Sequence, residues 1–363
     1  MMNDYYLPDV LAIGHLYVQK GYTSGGGLAK KRVLAFGMFP EEPFSGATNG
    51  DFFKNLLVRC NGVVEDFASG VMNAKVYDFT EKDLTDADGV AESVEHGWYE
   101  YKGGDDKALH PWEGETTPHY TEPKEGTKTE WKALNEQGKY SWLKTPKWRG
   151  KLCEVGPLAR YIVLYTKAKQ GLLGDLTWAE QMIVDQIDAV TKVLNVPVEA
   201  WLPSTVGRTA ARALDAQLQA EISKYFFDKL VANIKSGDTR VVNNDKWDPS
   251  TWPKEAKGVG LYEAPRGALS HWAVIKDGKI ANYQAVVPTT WNACPRDDAE
   301  GHGAYEMSMM DTPVKVADKP LEIVKAVRSF DPCMACSTHL FNAKGEKIRV
   351  VTTDPYAGVS VDK

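Results

Sequence analysis

Two cysteines and a histidine near the end of the chain have the spacing of a metal site. Cys333, Cys336 and His339 follow a Cys-x2-Cys-x2-His pattern, which places three metal-competent side chains within seven residues. Thiolates are soft ligands that favour nickel, iron, zinc or copper over magnesium. The spacing therefore predicts that Cys333 and Cys336 are thiolate ligands of a catalytic transition-metal site.

Other uses of a Cys-x2-Cys pair compete with this interpretation. A thioredoxin-type pair sits at a helix N-terminus after a strand, within a βαβ pattern that this sequence does not show. A structural zinc site needs four ligands, and no second Cys-x2-Cys or His pair accompanies this one. Two buried cysteines without any ligand are a third explanation. Cys60, Cys153 and Cys294 are solitary, so the five cysteines do not form a disulfide framework.

The composition of the 363-residue chain is that of an ordinary globular protein, with 43% hydrophobic and 25% charged residues. Its net charge of −6 argues against non-specific binding to nucleic acid, which needs a basic face. No run reaches the length of a transmembrane segment, and the N-terminus lacks the pattern of a signal peptide. Export would therefore depend on a partner.

Hydrophobic periodicity predicts a mostly α fold with a small β element. Helical spacing covers 7–20, 158–170, 178–194 and 321–329. The longest helix is expected to begin near Ser204 and to end at Gly237. Residues 80–150 predict an irregular insertion with short strands, and 272–287 predict a β-hairpin with an Asp-Gly turn. The apolar stripe of the long helix is expected to lie in the core of a helical bundle: Val206, Ala210, Leu214, Leu218, Ile222, Phe226, Leu230 and Ile234.

Six segments of the sequence carry a family resemblance, and they occur in the family's order. They are Leu-His-Pro-Trp-Glu-Gly-Glu (109–115), Glu-Val-Gly-Pro-Leu-Ala-Arg (154–160), Gly-Arg-Thr-Ala-Ala-Arg (207–212), Glu-Ala-Pro-Arg-Gly-Ala-Leu-Ser-His (263–271), Val-Val-Pro-Thr-Thr-Trp-Asn (286–292) and Asp-Pro-Cys-Met-Ala-Cys-Ser-Thr-His (331–339). The chain resembles the C-terminal portion of the large subunit of [NiFe] hydrogenases, most closely the membrane-associated uptake group. The resemblance extends over essentially the whole chain, so it is far more specific than a lone Cys-x2-Cys pair.

This resemblance implies a helical bundle core of the [NiFe] hydrogenase large-subunit type. It also implies a nickel–iron centre whose iron carries CO and cyanide ligands. The family holds nickel on four thiolates, among which Cys333 would be a terminal ligand and Cys336 a bridging one. Cys333 is also the candidate base for the proton released when H2 splits. The implied reaction is the reversible oxidation of H2 to protons and electrons, with the electrons passed to an iron–sulfur small subunit.

The resemblance also points to residues around the metals. Arg266, preceded by Pro265, matches an arginine held over the open metal face, where a fixed guanidinium stabilises thiolates and assists proton transfer. An arginine that pairs with a surface carboxylate is the structural alternative. Asp331 matches a carboxylate that pairs with this arginine, and its alternative role is turn capping. Pro288 and Thr289 match the segment that lines the CO and cyanide ligands.

A second, harder cation is implied as well. His339 and the backbone carbonyl of Ala285 match ligands of the family's magnesium site. A lone histidine is more often a structural residue, but one that follows a ligand cysteine by three positions is not typical of that class.

The resemblance divides the chain into two parts. Residues 1–339 would be one domain, the C-terminal portion of the large subunit, and 340–363 a propeptide that a maturation endopeptidase removes after nickel is bound. The family's first Cys-x2-Cys segment, which supplies two nickel thiolates, does not occur in this sequence. We expect those thiolates to come from a truncated or separate N-terminal fragment of the large subunit. The small subunit's export signal would carry the enzyme to the periplasmic side of the cytoplasmic membrane.

Two other functions compete with catalysis. One is a non-catalytic scaffold subunit of a respiratory complex, and the other is an inactive fragment. Relatives of the first kind keep the fold and lose the cysteines, whereas this chain has Cys333, Cys336 and Arg266. The sequence therefore favours a hydrogenase.

Overall fold

The computed structural model describes residues 6–19, 23–40, 52–121, 135, 137–239, 241–242, 247–316 and 320–333, and the backbone of 340–341 and 347–349. The helices in these ranges are α1 (Leu7–Gln19), α2 (Leu28–Lys31), α3 (Glu81–Thr85), α4 (Pro157–Lys169), α5 (Trp178–Leu194), α6 (Val198–Trp201), α7 (Thr205–Lys235), α8 (Pro288–Ala293), α9 (Ala304–Met310) and α10 (Leu321–Arg328). The strands are β1 (Arg32–Ala35), β2 (Met38–Pro40), β3 (Leu56–Val58), β4 (Gly62–Glu65), β5 (Lys75–Asp78), β6 (Val90–Ser93), β7 (Tyr99–Tyr101), β8 (Thr116–Pro118), β9 (Thr145–Trp148), β10 (Glu255–Ala264), β11 (Gly267–Lys276), β12 (Lys279–Val286), β13 (Leu340–Phe341) and β14 (Lys347–Arg349).

The helical layer is built around α4, which packs against α5, α7 and β1. Local signals start these helices where the sequence predicts them. Pro157 occupies the first turn of α4, where its missing N–H costs nothing. Thr177 and Glu180 form a capping box at α5, and the Ser204 hydroxyl accepts a hydrogen bond of 3.0 Å from the backbone N–H of Gly207 at α7.

The prediction of a mostly α protein with a helical-bundle core is wrong. Helix accounts for 39% and strand for 23% of the structure, and the strands form several small sheets. Most of these strands were not predicted because they are short. The strands β1, β3, β4 and β6 are three or four residues long and buried on both faces. A strand buried on both faces has no alternation of polar and apolar residues, so no period of two appears.

The stripe predicted on α7 is only partly in the core. Leu214, Leu218 and Ile222 are buried, whereas Leu230 and Ile234 expose 55% and 52% of their surface. The core of the described residues therefore ends near the middle of this 31-residue helix, and its C-terminal half presents apolar side chains outward. Periodicity alone cannot separate a buried stripe from one that another surface covers.

The sheet that matters for the site contains β10, β11 and β12. The predicted hairpin is present as β11 and β12, and its turn is Asp277-Gly278. The strand β10 was not predicted. It pairs with β11 along its whole length and connects to it through the two residues Pro265 and Arg266. Arg266 therefore lies at the tip of a hairpin. The described residues of 80–150, which leave out 122–134 and 136, contain short strands between loops, as predicted, with β6 paired to β9 and β7 to β8.

Among the described residues, no helix is long and apolar enough to cross a membrane.

Gly267 fixes how close the hairpin tip lies to α4. Its φ is +127°, and a Cβ built there would lie 2.5 Å from the backbone nitrogen of Gly156, just before α4. The nitrogen belongs to the backbone, and the position of a Cβ is fixed by its own backbone, so neither atom can turn aside. We expect Gly267→Ala to lower the free energy of unfolding by about 3 kcal/mol or more, from backbone strain plus steric overlap.

Gly278→Ala is the matched control for this prediction. Gly278 also has a positive φ, +72°, and lies in the next turn of the same sheet, but no atom lies within 4 Å of a Cβ built there. We expect a loss of about 1 kcal/mol from backbone strain alone. Chemical denaturation of both variants measures the difference, and equal losses would show that the Gly267–Gly156 approach imposes no constraint.

Candidate metal centre

Arg266 and Asp331 meet at the tip of the β10–β11 hairpin. The Arg266 Nε donates to the backbone oxygen of Asp331 at 2.8 Å and lies 3.3 Å from its Oδ2, while Nη2 lies 3.5 Å from Oδ1. Both side chains are a little over one-third exposed in this chain. Asp331 has a φ of +56°, so the chain turns sharply just before Pro332 and Cys333. The guanidinium thus lies against the segment that leads into the cysteine motif.

Thr289 joins this group from a third element. Pro288 begins α8 directly after β12, and Thr289 is buried in the first turn of that helix. The backbone N–H of Cys333 donates to the Thr289 hydroxyl at 3.4 Å. Cys333 itself is partly exposed. The structure therefore brings the predicted residues Arg266, Pro288, Thr289, Asp331 and Cys333 to one place.

The remaining predicted ligands are divided between two regions. Ala285 lies on β12, opposite His271 and three residues before Pro288. Cys336 and His339 lie outside the described residues, as does most of 340–363. Of the two predicted magnesium ligands, only Ala285 lies within the described residues, so this site stays a prediction.

The three solitary cysteines belong to the hydrophobic core. Cys60, Cys153 and Cys294 are all buried, and burial raises the pKa of each thiol, for Cys153 to about 12. Burial thus favours the neutral thiol, and a buried free cysteine of this kind behaves as a small hydrophobe.

A buried ion cluster lies under the hairpin tip. Arg160, on α4, donates from Nη2 to the Asp215 carboxylate at 2.8 Å and from Nη1 to the Glu263 carboxylate at 2.9 Å. Burial opposes the charge of Arg160, but Asp215 and Glu263 outweigh it and raise the pKa of the guanidinium. Burial raises the pKa of Glu263 as well, against the effect of Arg160.

A second buried pair and a third arginine lie beside this cluster. Arg208 pairs with Glu154 at 2.7 Å, and its guanidinium lies 3.9 Å from the centre of the Phe330 ring. Arg212 donates from Nη2 to the backbone oxygen of Ser329 at 2.7 Å. Burial lowers the pKa of Arg212, while the charge of Asp331 acts to raise it.

These ion pairs were not predicted from the sequence. One signal was available, because Arg160 stands inside the otherwise apolar run 158–164, and a charge in such a run is seldom buried without a partner. The partners themselves carry no local signal. Asp215 lies 55 positions and Glu263 103 positions along the chain from Arg160.

The donor set fits a nickel–iron centre of the predicted kind. A partly exposed cysteine, a nearby guanidinium and a buried hydroxyl form one group, and a soft thiolate next to a fixed positive charge suits a thiophilic metal. The ligands that would complete the first coordination shell are not all among the described residues.

Comparisons with known proteins agree with this chemistry. The sequence pattern of the nickel-dependent hydrogenase family matches residues 1–339. The uptake hydrogenase large subunits of Rhodobacter capsulatus and Rhizobium leguminosarum bv. viciae are 45% and 46% identical over 95% and 94% of this chain. The hydrogenase-1 large chain of Escherichia coli K12 is 42% identical over 96% of it. The chain covers 53–54% of these relatives, so it spans about half of their length.

Solved structures give the same assignment. A reduced, active Ni-Fe-Se hydrogenase from Desulfomicrobium baculatum superposes with a TM-score of 0.64 at 28% identity, over 93% of this chain and 57% of that one. The oxidised Ni-Fe-Se hydrogenase of Desulfovibrio vulgaris Hildenborough gives a TM-score of 0.62 at 26% identity, over 93% of this chain and 58% of that one. The chain belongs to the nickel-dependent hydrogenase family.

Proposed function

We propose that this chain is the C-terminal portion of an uptake hydrogenase large subunit and that it takes part in the reaction H2 ⇌ 2H⁺ + 2e⁻. The observation that carries the proposal is the placement of Arg266 against Asp331, next to Cys333 and Thr289. Relatives named as uptake hydrogenase large subunits, 45–46% identical, support it. A scaffold subunit of the kind considered above loses the cysteines, whereas this chain has both Cys333 and Cys336 together with Arg266.

Cys333 and Cys336 would hold the nickel–iron centre together with two thiolates from outside this sequence. When bound, the centre would supply the Lewis acidity needed for the heterolytic splitting of H2. Pro288 and Thr289 would line its CO and cyanide ligands, with the Thr289 hydroxyl available to donate to a cyanide nitrogen. In the present structure that hydroxyl already accepts from the Cys333 N–H, which leaves its own proton free for this use.

The protein's own contribution is electrostatic. Arg266 would stabilise neighbouring thiolates through its positive charge. Asp331 fixes the direction of the guanidinium through both its backbone oxygen and its carboxylate. Cys333 is the proposed acceptor of the proton, because a thiolate is a base whose strength a nearby fixed charge tunes.

A magnesium ion is proposed at His339 and the backbone carbonyl of Ala285. The carbonyl oxygen is a donor that a hard cation prefers, and such a cation keeps several of its waters. The imidazole of His339 is a less usual ligand for magnesium and is included because the resemblance to the family implies it. Such an ion would tie the end of β12 to the residues that follow the cysteine motif.

The partners of this chain are proposed from its exposed apolar surface. α1 exposes Ile13 and Leu16, and the C-terminal half of α7 exposes Phe227, Leu230 and Ile234, each by more than half. An apolar groove of about 410 Å³ runs between α1, α7 and α10. Surfaces of this kind bind other protein surfaces. An N-terminal fragment of the large subunit and an iron–sulfur small subunit would supply them.

Processing and location follow the same proposal. A maturation endopeptidase would remove 340–363 after nickel is bound, leaving His339 as the new C-terminus. Assembly with an exported small subunit would place the enzyme on the periplasmic side of the cytoplasmic membrane.

The role of Arg266 is tested by Arg266→Lys in the assembled enzyme. Lysine keeps the charge but cannot hold both acceptors of Asp331, so the charge above the cysteine motif moves. We expect H2 oxidation to fall by about 100-fold while the nickel content is unchanged. Arg59→Lys is the control, since Arg59 pairs with Glu180 and contacts no site residue in the described chain. Equal activity of the two variants would contradict the proposal.

Metal binding is tested by nickel analysis and infrared spectroscopy of this chain, alone and combined with the N-terminal half of a relative's large subunit under maturation conditions. We expect nickel and the stretching bands of CO and cyanide only in the combined sample, because two thiolates alone do not complete the site. The absence of nickel and of these bands from both samples would overturn the catalytic assignment.

A further inference from the structure

One face of α7 points at three segments that lead into the site. Arg208, Arg212 and Asp215 are four and three positions apart, so they lie in a row along one side of the helix. Arg208 and Asp215 are buried, in a helix whose other polar residues are mostly exposed. Each of the three residues is bonded to a different part of the chain.

The groups that these three α7 residues contact lie shortly before residues of the site, or before the glycine that supports the hairpin tip. Arg208 binds Glu154, two residues before Gly156, on which the hairpin tip rests. Arg212 binds the backbone oxygen of Ser329, two residues before Asp331. Asp215 reaches the third segment, the end of β10, through Arg160.

Arg160 is the link between α7 and the hairpin tip. Its Nη1 donates both to the Glu263 carboxylate at 2.9 Å and to the backbone oxygen of Ala264 at 2.8 Å. These are the last two residues of β10, and the turn residues Pro265 and Arg266 follow directly. Any displacement of Arg160 would therefore move the backbone from which Arg266 extends.

Glu263 leaves this link little freedom. Its side chain is 2% exposed, and its Oε1 accepts a 2.6 Å hydrogen bond from the backbone N–H of Phe36 while Oε2 accepts from Arg160. Both oxygens are therefore engaged, which fixes the rotamer. The Arg266 side chain is 37% exposed, so packing restricts it little. Its position therefore depends on the backbone at the end of β10, from which it extends.

We propose that Arg160, held by Asp215, is a positioning residue that fixes Arg266 over the cysteine motif. The proposal rests on the proposed hydrogenase function for its kinetic test, but not for its structural one. It extends the site from the residues at the hairpin tip to a buried network on α4 and α7.

The kinetic test is Arg160→Lys in the complete enzyme, compared with Arg59→Lys. Both changes keep the charge and remove a guanidinium fork from a buried carboxylate, but the partners of Arg59 are Glu180 and the backbone of 173 and 175, away from the site residues. We expect kcat for H2 oxidation to fall about tenfold or more in Arg160→Lys, with KM and nickel content unchanged, and to stay within about twofold in the control. Similar kcat values in the two variants would overturn the proposal.

A double variant separates positioning from a general loss of stability. If Arg160 acts through Arg266, adding Arg160→Lys to Arg266→Lys should change kcat by less than about twofold. If the two losses multiply, Arg160 does not act through Arg266 and the proposal fails.

Hydrogen–deuterium exchange of the peptide that covers 261–269 gives a readout independent of H2 chemistry. We expect faster exchange at this hairpin tip in Arg160→Lys and unchanged exchange in Arg59→Lys. This result in an enzyme that does not oxidise H2 would uphold the positioning network and contradict the proposed function. Unchanged exchange in Arg160→Lys would overturn the positioning proposal whatever the activity.

Discussion

The arrangement of the site depends on the buried ion pairs that the Arg160 guanidinium forms with Asp215 and Glu263. Removing a charged group from water is costly, and it is tolerated here because two carboxylates, Asp215 and Glu263, and one backbone carbonyl surround it. Removing one partner of such a cluster typically costs about 3–5 kcal/mol, because the other charges stay buried. The helices α4 and α7 and the strand β10 are thus held in a single relative position.

This constraint explains how Arg266, an arginine whose side chain is partly exposed, can occupy a defined position. The β10–β11 hairpin rests on Gly156 through Gly267, where only glycine allows the backbones to approach so closely. Arg266 extends from that fixed turn to Asp331, and the short chain from Asp331 to Cys333 is held in turn by Thr289. The cysteine motif therefore follows an anchored segment, which suits a site whose metal needs fixed charges around it.

The family and several of the residues that meet at the hairpin tip were predictable from the sequence, whereas less of the fold was. The spacing of Cys333 and Cys336 and the segments around Arg266 and Thr289 led to the family, which the comparisons confirm. The small sheets were missed because their strands are short and doubly buried, and the ion pairs because their members are distant in sequence. The exposed end of the α7 stripe was missed because periodicity does not tell which surface covers an apolar face.

Cys333 is proposed to be a nickel ligand that this anchored backbone places near Arg266. Nickel K-edge X-ray absorption of the assembled enzyme tests this role when the unmodified protein is compared with Cys333→Ser. We expect the variant either to lose nickel or to retain it with one sulfur ligand fewer. The same nickel content and the same number of sulfur ligands in both proteins would show that Cys333 is not a nickel ligand.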